Sequence, residues 1–209
     1  LVLESADSIR SLYRHFFSGI TEKSLNVFYY ACSYAKADYS RFMNVTAKIA
    51  LNLIQDTLKS QPVFLCVDDT MISKFGEKFE NVSKLFYHAA HNGSNYLKGH
   101  CFVSVMLCVS VWNNSKVSYL SVPLVYRVWQ KTDSKLELAA SMIRQVMPDF
   151  RKKKDVIILC DSWYAKKKLV SIVDEYPNLN LIGNARCDFV LYDLSKAPTG
   201  RRGRPAKHG

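Results

Sequence analysis

The 209-residue chain has no Cys-x-x-Cys pair, no apolar run of the ~18 residues a membrane span needs, and no charged-then-apolar leader. Each absence excludes something. Six cysteines (Cys32, Cys66, Cys101, Cys108, Cys160, Cys187) stand at no zinc spacing, and four of them fall inside apolar runs. These four, Cys66, Cys101, Cys108 and Cys160, read as buried thiols of a reducing compartment, and no chemistry is assigned to the six. The longest apolar stretch, 101–112, is interrupted by two serines. With Leu1 first and a Gly/Arg/Lys-rich stretch last, the sequence is expected to be a piece of a longer cytoplasmic protein with no membrane partner.

Acid is also scarce. There are 18 Asp and Glu against 29 Lys and Arg, a formal net charge of +11. Residues 151–209 alone hold 13 basic and 6 acidic side chains. A tract of this kind suits a polyanion, although any single lysine run also serves as a solvated face. At 48% hydrophobic and 22% charged, the composition is that of a globular chain and excludes wholesale disorder.

The few acids stand at informative places. Residues 62–67 read PVFLCV before Asp68-Asp69-Thr70, and residues 156–160 read VIILC before Asp161-Ser162-Trp163. Short β-branched, apolar runs closed by polar residues read as buried strands, here ending at Asp68 and Asp161. The rest of the chain frames them. Up to about residue 60, apolar residues recur at helical steps, with Ser40 placed to cap a helix carrying Phe42, Val45, Ile49 and Leu53. This defines an N-terminal helical region, 1–60. A polar loop follows over 73–99. Two long β-segments, 101–112 and 116–129, flank the hairpin signal Asn113-Asn114-Ser115. Ser134 caps an amphipathic helix that stops near Pro148. Then come a strand to Asp161, a helix over 164–176, a strand over 179–183 and a short strand over 188–191.

This order predicts an α/β fold: a ribonuclease H-like mixed sheet flanked by helices, over 61–196, with a basic tail at 197–209. In that fold the first and fourth strands are neighbours, because the helix after the third strand returns the chain in parallel. Asp68 and Asp161 then meet although 93 positions separate them. Two carboxylates at adjacent strands suit a divalent cation, and hard oxygens favour Mg²⁺ or Mn²⁺. A third carboxylate would complete sites for two ions. The competing reading is that each Asp caps the segment after it. Because successive strand residues face opposite ways, only one of Asp68 and Asp69 enters the site. Asp68 is favoured, with Asp69, Thr70 and Ser162 in supporting positions.

The run VDDTMISKFGEKFENVSKLFYHAAHNGSNYLKGHCFVSV resembles the first catalytic block of insertion-sequence DDE transposases of the IS4 type and related DDE endonucleases. LCDSWYAKKKLV resembles their second block, and the segment 181–209 resembles their link toward a third. The resemblance spans about 61–209. It implies metal-dependent cleavage and strand transfer on double-stranded DNA, transposon ends and target alike, with Asp68 and Asp161 as catalytic metal ligands. It further implies a homodimer bridging two ends and a nucleoid-associated location. The family's third acid is a Glu in a Tyr-x-x-Arg-x-x-x-Glu setting, and no such motif occurs here, so the third ligand is expected beyond Gly209.

Lys74, Lys78 and Lys98 are candidates for phosphate contacts or are simply solvated. Trp163 either lines the site or packs in the core. Arg201, Arg202, Arg204 and Lys207 form an Arg-Gly-Arg-Pro tail that reads as an AT-hook or as a linker. The alternative to a transposase is a DNA-binding protein without chemistry, for which Asp68 and Asp161 would be dispensable. A phosphatase ranks lower, since its nucleophile loop wants Asp-x-Asp.

Overall fold

Alternating burial carries the first strand straight through its acids. The structure is a computed structural model and describes residues 8–36, 38–76, 78–86, 95–153, 155–185, 187, 188 and 190. Strand β1 (Val63–Ser73) buries Val63, Leu65 and Val67 and turns Phe64, Cys66 and Asp68 to the opposite face. It does not stop at Asp68, as its apolar run suggested. Its neighbour β3 (Tyr96–Asn113) is long enough to offer ladder partners as far as Ser73, opposite Gly99. Backbone pairing, not hydrophobicity, sets that end.

The chain divides into two units, 1–42 and 43–209. In the first, helix α1 (Ile9–His15) is capped by the Ser8 hydroxyl, which accepts from the Ser11 amide. Helix α2 (Leu25–Tyr34) places Phe28 against Tyr13 and Phe17, with ring centroids 5.5 and 4.5 Å apart. Neither helix has a buried residue. The division falls inside α3 (Tyr39–Asn52), whose Met43, Ala47 and Ala50 belong to the core of the second unit. The expected cap moves by two residues: the Asp38 carboxylate accepts from the Arg41 amide at 3.1 Å, and Ser40 lies within the helix.

The second unit is built on a six-stranded mixed sheet. Its strands are β1, β2 (Ser83–Phe86), β3, β4 (Lys116–Val128), β5 (Val156–Cys160) and β6 (Leu179–Gly183). The order β4-β3-β1-β5-β6, with β2 beside the start of β3, is the ribonuclease H-like order. β1 is antiparallel to β3 and parallel to β5, and β5 is parallel to β6. Helix α4 (Lys135–Val146) makes the crossover that puts β5 beside β1. Its Ala139, Met142, Ile143 and Val146 join Val103, Val105, Leu107 and Ile158 in one core. Between β3 and β4, Asn114 and Ser115 both have positive φ, 47° and 62°, the conformation of a two-residue primed turn.

Three expected elements differ. The 73–99 loop contains β2, whose sequence SKLF is too short for periodicity to register. The helix expected over 164–176 is a turn, a short α5 (Lys167–Val170) and a 3-10 stretch, Ser171–Glu175, because the Asp161-capped turn consumes its first residues. In the strand expected over 188–191, Asp188 and Val190 take no strand conformation, and 189 and 191 lie outside the described residues. Among the described residues no helix is long and apolar enough to cross a membrane.

Candidate functional site

The ladder between β1 and β5 closes at Val67 opposite Cys160, so Asp68 and Asp161 come next on their strands, at one level of the sheet. Neighbouring strands lie about 4.8 Å apart. Both residues are exposed. One Asp68 oxygen accepts the Asp69 amide at 2.8 Å, and Ser104 donates its hydroxyl to the Asp68 carbonyl at 3.2 Å. One Asp161 oxygen accepts the amides of Trp163 and Tyr164, each at 3.0 Å, so this residue does cap the turn that follows. The remaining oxygen of each carboxylate has no hydrogen-bond partner among the described residues.

Asp69 faces the other way, toward α4, and is enclosed. One oxygen meets the Lys135 ammonium at 2.7 Å and the Cys101 thiol at 3.3 Å; the other accepts the Tyr164 hydroxyl at 3.1 Å. The Asp69 and Lys135 side chains are only 17% and 12% exposed, so this is a largely buried ion pair. A lysine in the first turn runs against the helix dipole, and Asp69 supplies the compensation. Burial works against the Lys135 charge, but the hydrogen bond and charge of Asp69 outweigh it and raise its pKa above the ordinary lysine value. Burial pushes the Cys101 thiol up to about 11, although Lys135 pulls the other way. The Tyr164 phenol is raised by burial first and by Asp69 second, so it stays a donor.

Asp69 and Asp161 also border a cleft of about 730 Å³, shared with Trp129, Trp163, Lys84 and Lys131; Asp68 does not line it. Lys135 lies 4.9 and 5.5 Å from the Trp129 and Trp163 ring centroids, and Lys166 lies 4.6 Å from Trp163. Trp163, 40% exposed, is therefore a cleft wall.

The other sequence-derived candidates spread widely. Thr70 is exposed and Ser162 half-buried. The Lys74 amide donates to the Lys98 carbonyl at 2.9 Å, and Lys98 pairs with Lys84 of β2, so these three lysines follow one another across β2, β3 and the residue just past β1. Lys78 is exposed on the loop beyond. Arg201, Arg202, Arg204 and Lys207 lie outside the described residues, as do His88 and His91. His100 sits inside β3 with its Nε2 2.7 Å from the Glu80 carbonyl. Glu175 is engaged by Arg144 at 2.6 Å. Among the described residues no three His, Cys, Asp or Glu side chains form a metal-binding group.

Sequence reasoning missed Lys135 and Tyr164. Their shared partner, Asp69, lies 66 and 95 residues away. The one local signal was a lysine opening a helix.

The family described as DDE superfamily endonuclease matches residues 32–209. Among solved structures, a chain of the Mos1 strand transfer complex is similar at 11% identity and a TM-score of 0.32, over 86% of this chain and 58% of that one. This chain thus spans less than two thirds of that chain's length. No curated protein matches the sequence.

Proposed function

Because this chain belongs to the DDE superfamily endonucleases, we propose that it provides two of the acids of a divalent-metal site that cuts and joins DNA in transposition. The observation that carries this reading is the register of β1 on β5, with Asp68 following Val67 and Asp161 following Cys160. Each carboxylate keeps one uncommitted oxygen, the donor type that Mg²⁺ or Mn²⁺ takes. The bound ion would activate an attacking oxygen and stabilise the leaving one. The chain's own residues do the rest. The Asp161 cap holds its carboxylate at the head of the turn, and the Asp69 amide, donating to the Asp68 carboxylate, keeps that side chain at the sheet surface. The strand-end lysines Lys74, Lys84 and Lys98 offer contacts to DNA phosphates, with Lys78 beside them. The pair suffices for one ion; a second requires a third carboxylate.

The cleft favours one variation, in which Asp69 rather than Asp68 joins Asp161. Asp69 would have to give up contacts already made on both its oxygens, which weighs against it.

The test is nicking of supercoiled plasmid in Mg²⁺ or Mn²⁺. Asp68→Asn and Asp161→Asn are expected to abolish nicking while DNA affinity is kept; unchanged nicking in both would exclude these two acids as the site, and DNA binding without nicking in the wild type would favour a DNA-binding protein without chemistry. Loss in Asp69→Asn with full activity in Asp68→Asn would select the variation.

A further inference from the structure

Tyr164 touches both acid-bearing segments at once. Its backbone amide donates to the Asp161 carboxylate at 3.0 Å, and its phenol donates to the Asp69 carboxylate at 3.1 Å. Asp69 is one residue, about 3.8 Å of backbone, from Asp68. Its ring is 1% exposed and belongs to the core, so the side chain is a stiff connection and not a swinging one. Between the two hydrogen bonds the phenyl ring acts as a spacer of fixed length, and the last β1–β5 ladder pair lies just before the acids. Beyond that pair, Tyr164 is the residue among those described that hydrogen-bonds to carboxylates of both segments.

We propose that Tyr164 is a positioning residue that sets the separation of the two acids, and so governs how tightly a divalent ion is held. This rests on the metal-site reading given above. Cys101 binds the same Asp69 carboxylate from β3 and makes no hydrogen bond to the Asp161 turn, whereas Lys135 reaches that turn only through the face of the Trp163 ring, 5.5 Å away.

The experiment is a Mn²⁺ titration of the full chain, with free ion counted by electron paramagnetic resonance and folding followed by circular dichroism. Tyr164→Phe removes one oxygen from a ring that otherwise still fills its place. By cutting the link from Asp69 to the Asp161 turn it is expected to weaken Mn²⁺ binding by about tenfold, the low end of what losing an outer partner of a metal site costs. Cys101→Ala is expected to leave the affinity unchanged. Tyr164→Met, which fills the space without a donor, guards against a packing defect peculiar to one variant. Wild-type affinity in either folded Tyr164 variant overturns the proposal while leaving the site intact. Absence of Mn²⁺ binding in the wild type, or binding undiminished by Asp161→Asn, overturns the site itself and the proposal with it.

Discussion

On the α4 side of the sheet, Asp69 meets an ammonium, a thiol and a phenol, all within 3.3 Å. One residue earlier, on the opposite face, the Asp68 carboxylate meets the backbone amide of its own successor. The two residues have the same chemistry and adjoining places in one strand, and differ only in which way the pleat turns them. Enclosure converts Asp69 into part of the architecture, because its charge is already answered. Openness leaves Asp68 a charge still able to recruit an ion. Clustered carboxylates are tolerable in a fold when something cationic neutralises them: here a lysine on one face and, in our reading, a metal on the other.

The largest expected effect breaks the open side. Asp161→Asn keeps the oxygen that caps the turn and removes the charge, so nicking should fall below detection in a plasmid assay with little change in melting temperature. Asp161→Ala should lose the cap as well, and about 1 kcal/mol of stability with it. Breaking the closed side comes next. Lys135→Met strands a largely buried carboxylate and should cost about 3 kcal/mol in urea unfolding, whereas the double change Asp69→Leu with Lys135→Met should recover most of it. As a contrast, Arg144→Ala removes a pair that is 46% and 38% exposed, and its urea unfolding should stay close to that of the wild type.

The smallest effect is one of pH. Cys101 and Tyr164 hold their protons more firmly folded than unfolded, and so does Lys135. The stabilisation is full below the ordinary thiol value of 9.0 and is lost as pH climbs from there toward about 11 for Cys101, since the unfolded chain releases protons first. Melting temperatures between pH 8 and 11 should therefore decline, and Cys101→Ala should flatten the decline.

Much of this was legible beforehand. The β3–β4 hairpin and the amphipathic α4 announced themselves by period, and the crossover they imply is what brings residues 68 and 161 together. Asp161 shows why two readings of an acid need not compete: one oxygen caps and the other stays available. The continuation of β1 through DDTMIS was hidden because those residues carry no hydrophobic alternation; β3 imposes their conformation from outside. The enclosure of Asp69 was hidden for a similar reason, since nothing near it in the sequence hints at a lysine and a tyrosine so far along the chain.

Gly99 pairs with Ser73 on one side and Ser83 on the other, and a methyl group on it would stand 2.1 Å from the Ile72 carbonyl oxygen. The three strands can converge there because that position is bare. Lys74, Lys84 and Lys98 each stand one step from the junction, so an alanine at 99 would scatter a row of positive charge without altering any charged residue. The contact with DNA proposed above would then loosen, and its dependence on salt soften, through the smallest side chain available.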